Sequence, residues 1–277
     1  MMRRFRQVDV FCSEPLRGNP VAVVIDAEGL STGQMREFAR WTNLSEATFL
    51  LPPTAAGADY LVRIFNLDNE LPFAGHPTLG TCHAWLEAGG APANPDRIVQ
   101  QCAAGLIPVR RTADGLGFAA PPLVRSGPVD DRLLEHVAAQ LGIVRDAIVD
   151  ANWADNGPGW IAVLLESADA VLALRPGALD LDVGVAGPYP PGADCAFEVR
   201  AFFPVGGRAV EDPVTGSFNA SLAQWLFGSG KAAAPYVVSQ GTELGRTGRV
   251  HLSRDDNDGT VWVAGGTTTV ILGEVDL

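Results

Sequence analysis

Two short segments of this chain share one pattern: Gly75-His76-Pro77-Thr78-Leu79-Gly80 and Glu211-Asp212-Pro213-Val214-Thr215-Gly216. In each segment an ionisable residue is followed by proline, by two further residues and then by glycine. Proline suits the first turn of a helix, because the N–H group that it lacks would have no partner there. Both segments therefore predict the start of a helix.

A mostly apolar run follows each segment and ends at glycine. Residues 81–88 precede Gly89-Gly90, and residues 217–227 precede Gly228. Glycine directly after the last apolar residue is a common helix end, and a helix that is apolar all round is buried. The start of a helix offers free N–H groups and partial positive charge to an anion. The repeated pattern therefore predicts two related lobes that meet over one small anionic ligand.

Composition and charge narrow the class of protein. The chain has 277 residues, 47% hydrophobic and 19% charged, which suits two modest domains with a packed core. Its net charge of -12 argues against nucleic acid and anionic membrane surfaces as partners. The sequence has no apolar run long enough to span a membrane, and its arginine-containing start lacks the apolar core of a signal peptide. We therefore expect a cytoplasmic protein.

Cysteine usage agrees with that compartment. The four cysteines, Cys12, Cys82, Cys102 and Cys195, are scattered along the chain and never form a CxxC motif. Structural thiols in a reducing cytoplasm are the expected state. His83, His136 and His251 have no partner at metal-ligand spacing, so we predict no metal site, and we expect His83 to be a hydrogen-bonded core residue.

Both halves of the chain are predicted to run strands, central apolar helix, strands. This order indicates an α+β fold of two similar lobes, each a curled mixed β-sheet around its central helix. The first lobe is expected at residues 1–125 and the second at 126–277, with a linker that starts at Pro121-Pro122 and reaches about Pro128. The final strand, near 265–277, is a candidate to return to the first lobe. Ser31 and Gln34 form a capping box that predicts a helix ending at Asn43.

Glu46 is the first candidate for chemistry. It lies in Asn43-Leu44-Ser45-Glu46-Ala47-Thr48-Phe49, at a junction from loop to strand with apolar residues on both sides. A carboxylate in such surroundings can have a raised pKa and exchange protons near neutrality. The alternative is a surface glutamate at the start of a strand, and the local sequence alone favours that alternative.

The repeated segments supply the remaining candidates. His76 and Asp212 occupy matching positions and are predicted to assist proton transfer or to hold the substrate, with ordinary helix capping as the alternative. Gly75, Gly216 and Ser217 are candidates to bind an anion, because glycine lets backbone N–H groups approach a ligand closely. Plain helix packing is the alternative for these three.

Together these residues resemble the PhzF family, the phenazine biosynthesis-like isomerases of the diaminopimelate epimerase superfamily. The most specific matching stretches are Glu70-Leu71-Pro72-Phe73-Ala74-Gly75-His76-Pro77-Thr78-Leu79-Gly80 and Glu211-Asp212-Pro213-Val214-Thr215-Gly216-Ser217. Shorter ones are Val8-Asp9-Val10-Phe11 with Gly18-Asn19-Pro20, Asn43-Leu44-Ser45-Glu46-Ala47-Thr48-Phe49, Gln240-Gly241 with Gly245-Arg246, and Gly265-Gly266. They follow the family order over nearly the whole chain.

The resemblance implies an active site in the cleft between two lobes and acid/base catalysis without a cofactor. The glutamate that carries the proton in the family matches Glu46, and the family's histidine and aspartate match His76 and Asp212. The backbone donors that hold a substrate carboxylate match Gly75, Gly216 and Ser217, with Ser45 beside the glutamate. The expected partners are a small anionic substrate and, in a homodimer, a second copy of the chain.

One departure within the superfamily bears on the reaction. The racemases and epimerases that use two bases carry a cysteine at each helix start, whereas this chain has Ala74 and Gly216-Ser217 there. We therefore predict an isomerase that moves a proton within a carboxylate-bearing metabolite with a single carboxylate. An amino-acid racemase or epimerase with another pair of bases stays open, as does a non-catalytic protein that binds small anions.

Overall fold

The computed structural model describes residues 1–277 and divides them into two compact units. The first unit comprises Met1–Ala119 and Ala264–Leu277, and the second comprises Ala120–Val263. The longest helices have 13 residues, and none of the helices combines the length and apolar character that crossing a membrane requires.

The first unit contains two helices and nine strands of two to ten residues, which form one mixed sheet. The helices are α1 (Thr32–Thr42) and α2 (Gly75–Glu87). The strands are β1 (Met2–Val10), β2 (Asn19–Val24), β3 (Ala47–Leu51), β4 (Tyr60–Phe65), β5 (Glu70–Leu71), β6 (Ile98–Cys102), β7 (Gly105–Thr112), β8 (Gly115–Ala119) and, from the end of the chain, β18 (Thr267–Asp276).

The sheet of the first unit has the order β18-β1-β2-β3-β4-β6-β7-β8. The pairs β2–β3 and β4–β6 are parallel and the others are antiparallel. β5 pairs with the last residues of β4, and β6 pairs with the first residues of β4. The final strand, β18, pairs with β1 along its whole length, so the two ends of the chain lie in the same sheet.

The second unit is built from further strands and three helices. The helices are α3 (Asp131–Leu141), α4 (Ala168–Leu172) and α5 (Gly216–Gly228). The strands are β9 (Arg125–Pro128), β10 (Asp150–Asp155), β11 (Ile161–Leu164), β12 (Val183–Pro188), β13 (Phe197–Val205), β14 (Arg208–Asp212), β15 (Tyr236–Gln240), β16 (Gly248–Arg254) and β17 (Val261–Gly265), whose last residues belong to the first unit.

The pairing in the second unit repeats that of the first. The order β10-β11-β12-β13-β15-β16 has parallel pairs at β11–β12 and β13–β15, in the places of β2–β3 and β4–β6. β14 pairs with the end of β13 as β5 does with β4. The helices α2 and α5 follow these two short strands. The predicted α+β class with mixed sheets is confirmed, and the sequence repeat corresponds to a repeat of topology.

Each central helix is buried by its own sheet. α2 packs against β18, β1, β2 and β3 and also against β8, which lie towards opposite ends of the sheet order. α5 packs against β10 and β16, again towards opposite ends. A helix can contact both ends of a sheet only if the sheet curves around it. Both helices are therefore held from several sides, which fixes the position of their first residues.

Two glycines allow these helices to pack closely. A Cβ atom on Gly80 of α2 would lie 2.3 Å from Val21 Cγ1 on β2. A Cβ atom on Gly184 of β12 would lie 2.1 Å from the ring of Phe218 on α5. Real Cβ atoms essentially never come so close to a neighbour, so glycine is required at both contacts. A glycine at each contact thus allows the helix to lie this close to its sheet.

Five strands were not predicted from the sequence. β9 lies inside the segment predicted as a linker, and the others are β5, β10, β12 and β14. β9 is mostly exposed and carries Gly127 with a φ of 123°, so it shows no apolar alternation. β12 contains Gly184 and Gly187, two residues that are rare in strands but are needed here for close packing.

Candidate active site

The chain turns sharply just before Glu46. Helix α1 ends at Asn43, whose backbone has a left-handed φ of 55°, and β3 begins at Ala47. Asparagine tolerates this conformation better than most residues. Ser45 and Glu46 close the connection and are partly buried. The Glu46 side chain keeps 17% of its surface exposed, whereas its Oε2 atom is buried.

His76 is the second residue of α2 and is almost fully buried, with 4% of its surface exposed. Its Nε2 atom lies 3.3 Å from Glu46 Oε2, and its Nδ1 atom lies 3.3 Å from the amide nitrogen of Asn19. Burial lowers the pKa of His76 to about 3, against a weaker opposite effect of a hydrogen bond with the Pro20 backbone. The imidazole is therefore neutral at physiological pH, and its contact with Glu46 is not an ion pair despite the short distance.

The central helices differ from the others at their first turns. The remaining three α-helices are capped by the side chains of Ser31, Asp130 and Ser167. Ala74, which precedes α2, has no group that could cap it, and the Thr215 side chain does not cap α5. The first N–H groups of both helices, among them those of Gly75 and Gly216, are left without a capping side chain. Such groups carry partial positive charge towards any anion nearby.

The Thr215 hydroxyl group forms a hydrogen bond with Asp212 instead of capping α5. Thr215 Oγ1 donates to Asp212 Oδ2 at 2.7 Å, and it accepts from Gln240 Nε2 at 2.9 Å. Gln240 Oε1 accepts from the Thr215 backbone N–H and from the amide of Asn219. Gln240 Nε2 also donates to the Asp212 carbonyl oxygen at 3.2 Å. A fully buried glutamine thus holds the start of α5 and directs the Thr215 proton to the Asp212 carboxylate.

Ser217 receives two bonds from the loop between β10 and β11. Trp160 Nε1 donates to Ser217 Oγ at 3.1 Å, and Asn156 Nδ2 donates to the Ser217 carbonyl oxygen at 2.9 Å. The side chain of Ser217 is partly exposed, whereas Trp160 is buried with 4% of its surface exposed. Ser217 is therefore held at its hydroxyl and at its backbone while part of its surface stays exposed.

The predicted site residues fall into two groups. In the first unit Glu46 and His76 are in contact, and Ser45 and Gly75 are their neighbours in sequence. In the second unit Asp212, Gly216 and Ser217 lie around the start of α5, where β14 ends. The sequence analysis missed the roles of Thr215, Gln240, Asn156 and Trp160 in holding the second group. Gln240 stood in a matching motif, but only the structure shows what its amide bonds.

Neither helix start carries a thiol. The four cysteines are all buried and unbridged. Burial raises the pKa of Cys12 to about 11 and that of Cys82, inside α2, to about 12. These thiols are poor proton donors and acceptors near neutral pH. His83 bonds Thr267 and Thr269 and lies 3.3 Å from Glu87, so it is a hydrogen-bonded residue as expected, although it is only partly buried.

Comparison with known proteins decides the family. The sequence model of the phenazine biosynthesis-like proteins, PhzC-PhzF, matches residues 8–273. The chain belongs to the PhzF family. The resemblance stated from the motifs is confirmed, and the match covers both units.

Relatives in this family are similar over nearly their full lengths. The chain is 37% identical to the trans-2,3-dihydro-3-hydroxyanthranilate isomerase of Pseudomonas aeruginosa, with 90% of each chain covered. It is 35% identical to the "Antisense-enhancing sequence 1" protein of Schizosaccharomyces pombe, with 98% of this chain and 97% of that one covered. The crystal structure of a PhzF-family phenazine biosynthesis protein from Bacillus anthracis superposes with a TM-score of 0.83 at 20% identity, and 100% of each chain is covered.

These likenesses establish the class of activity. Several curated relatives are named as isomerases, and three of them, from Pseudomonas species, are named for a specific substrate. The protein is an isomerase of the PhzF family, as the sequence predicted.

Proposed function

We propose that this PhzF-family protein moves a proton between two carbons of a small carboxylate-bearing substrate, without a cofactor. The observation that carries the proposal is the contact of Glu46 with a neutral, buried His76 at the start of α2. The proposed substrate is trans-2,3-dihydro-3-hydroxyanthranilate or a molecule with the same arrangement of groups, because the P. aeruginosa relative isomerises that compound.

Glu46 is proposed as the group that carries the proton. Its carboxylate takes a proton from one carbon of the substrate, the double bond shifts, and the carboxylic acid returns the proton to another carbon. The reaction needs no oxidant or reductant, because every atom and electron pair stays in the substrate. A protonated histidine would hold Glu46 as an ion and weaken it as a base. A neutral His76 does not do so, and its Nε2 atom lies close enough to act on the proton that Glu46 carries.

Asp212 is proposed to orient the same substrate molecule. Thr215 holds one of its carboxylate oxygens, and Gln240 holds Thr215, so the direction of the group is set before any ligand binds. Fixed polar groups lower a reaction barrier because they need no reorganisation when charge moves. The repeat of the sequence pattern places Asp212 at the position of His76, which supports a shared role.

The substrate carboxylate is proposed to bind to backbone N–H groups. Gly75, Gly216 and Ser217 lie in the uncapped first turns of α2 and α5, and Ser45 lies beside Glu46. Helix starts stabilise an anion by about 0.3–1 kcal/mol at a surface and by up to about 2 kcal/mol when partly buried. Such local donors explain how a chain of net charge -12 can bind an acid.

The proposal is tested with trans-2,3-dihydro-3-hydroxyanthranilate in heavy water. We expect the substrate to be isomerised, with deuterium from solvent detected at the reprotonated carbon by mass spectrometry and NMR. The P. aeruginosa isomerase serves as a positive control. Inversion at one carbon without a double-bond shift would instead indicate an epimerase. Tight binding with neither turnover nor exchange would indicate a binding protein and overturn the proposal.

A further inference from the structure

The loop between β10 and β11 contributes two side chains to the start of α5. We propose that Trp160 is a positioning residue that orients the Ser217 hydroxyl so that its proton points to the substrate carboxylate. The inference rests on the proposed binding of that carboxylate at the start of α5, and it adds the Ser217 hydroxyl to the backbone N–H groups. It assigns a function to a residue that no motif of the sequence singled out.

The chemistry of the two groups sets the direction of the bond. An indole N–H is a donor only, whereas a serine hydroxyl both accepts and donates. At the 3.1 Å contact Ser217 Oγ must therefore be the acceptor, so one of its lone pairs faces Trp160. The hydroxyl proton is left to point away from the indole. A hydroxyl arranged in this way still has its proton to donate, as binding of an anion requires.

The loop that carries Trp160 is held in a single shape. Asp155 Oδ1 accepts from the backbone N–H groups of Gly157 and Gly159, at 2.7 and 2.8 Å. Both glycines have positive φ values, 139° and 92°, which other residues rarely adopt. The Trp160 carbonyl oxygen accepts from the Ala154 N–H, which closes the loop. Trp160 is therefore fixed by its backbone as well as by its ring.

The ring of Trp160 is fixed from the opposite side by α5. Its centroid lies 5.4 Å from that of Phe218, which is fully buried and pressed against Gly184. Asn156 of the same loop donates to the carbonyl oxygen of Ser217. Two residues of one loop, Trp160 and Asn156, thus bond the hydroxyl and the backbone carbonyl of Ser217. A donor that is already oriented loses less entropy when it binds a ligand.

The test compares Trp160→Phe with Trp225→Phe. The first variant keeps an aromatic ring against Phe218 and removes the N–H group. The second removes an indole from a buried position farther along α5, and the structure gives that indole no bond to Ser217. With trans-2,3-dihydro-3-hydroxyanthranilate as the substrate, we expect Trp160→Phe to raise KM roughly tenfold with a smaller change in kcat. We expect Trp225→Phe to change neither KM nor kcat.

Two further measurements separate positioning from general support of the fold. If Trp160 acts through Ser217, then Ser217→Ala and the double variant bind 3-hydroxyanthranilate as weakly as Trp160→Phe does, because the effects do not add. The same variants should bind 2-aminophenol, which lacks the carboxylate, as well as the unmodified protein does. Additive losses, or an equal loss for both compounds, would overturn the proposal.

A spectroscopic measurement keeps this inference apart from the choice of substrate. Trp160 is identified among the indole N–H resonances by its loss in Trp160→Phe, and its resonance should move in Ser217→Ala. Titration with 3-hydroxyanthranilate, or with inorganic phosphate if that compound does not bind, should shift the resonance only while Ser217 is present. A response to the anion without turnover would retain the role of Trp160 and reject the proposed substrate. An indole resonance that is insensitive to Ser217 would reject the role itself.

Discussion

Glu46 Oε2 lies 3.3 Å from His76 Nε2, and the imidazole in that contact is uncharged. Two groups at this distance usually form an ion pair, but the burial of His76 removes the solvation that its charged form needs. The carboxylate thus has a close polar neighbour that does not neutralise it, and neither of the two facing atoms makes a hydrogen bond. This relationship underlies the first two predictions.

Replacement of Glu46 by glutamine should abolish most activity without unfolding the protein. Glutamine keeps the size and hydrogen-bonding capacity of the side chain but cannot carry the proton. Groups of this kind contribute about 10²–10⁴-fold in rate, so kcat should fall by that factor. The matched control is Glu37→Gln on the exposed face of α1, which should leave kcat unchanged. Near-normal turnover by Glu46→Gln would remove this residue from the mechanism.

His76 should stay neutral throughout the range in which histidines ordinarily titrate. Its folded pKa of about 3 lies below the unfolded value of about 6.5, so the unfolded chain binds more protons between these values. The contribution of His76 to stability is therefore present above about pH 6.5 and is lost as the pH falls towards 3. NMR should show no shift of its Cε1–H signal between about pH 5 and 8. The signal is assigned by its loss in His76→Gln, and a midpoint near 6.5 would contradict the burial argument.

The hydroxyl of Thr215 should matter through Asp212. Thr215→Val has nearly the same shape but cannot donate to Asp212 Oδ2 or accept from Gln240. A hydrogen bond to a charged group contributes about 1.5–3 kcal/mol, so kcat/KM should fall by about tenfold or more. Thr215→Ser keeps the hydroxyl and should retain most of the activity. Normal activity in Thr215→Val together with a loss in Thr215→Ser would mean that packing of the methyl group, rather than the bond, is what counts.

Gly80→Ala should destabilise the first unit although alanine is the better helix former. The new methyl group would lie 2.3 Å from Val21 Cγ1, and such overpacking costs about 1–3 kcal/mol. Gly33→Ala in α1 is the control, because the nearest atom to its added Cβ is 3.8 Å away. That control should gain up to about 1 kcal/mol. Urea unfolding measures both, and adding Val21→Ala should restore part of the loss in Gly80→Ala.

Ionisation of Asp182 should lower the free energy of unfolding as the pH rises through the pKa of this carboxyl group. Burial, and secondarily the charge of Asp155, raise the pKa of the Asp182 carboxyl to about 6. The unfolded value is about 3.9, so the folded chain binds more protons between the two and stability falls as pH rises. The group is partly exposed, so we expect Asp182→Asn to add about 1 kcal/mol of unfolding free energy near pH 8 and almost none near pH 4.

The exposed Asp146→Asn serves as the matched control for the loss of one negative charge. Its unfolding free energy should not show the same dependence on pH. If both variants respond alike, the effect belongs to the net charge of the chain and not to the surroundings of Asp182.

Features that depend on neighbouring residues were readable from the sequence. The capping box of Ser31 and Gln34 is present, and Asn43 ends α1, because each needs only a few adjacent residues. The starts of α2 and α5 were predicted from proline and glycine, for the same reason. β10, β12 and β14 were missed, because those strands are defined by partners elsewhere in the chain. Trp160 was missed too, since its bond to Ser217 spans 57 residues.

The sequence alone therefore determined the family, the α+β class, the repeat and the type of enzyme, because motifs and hydrophobic patterns are properties of contiguous residues. It also named the candidate residues, whose roles stay predictions. Only the tertiary structure decided that His76 is neutral, that Gln240 aims Thr215 at Asp212, and that Gly184 admits Phe218. Desolvation, hydrogen-bond direction and close packing depend on which distant parts of the chain surround a residue, and no local pattern contains that information.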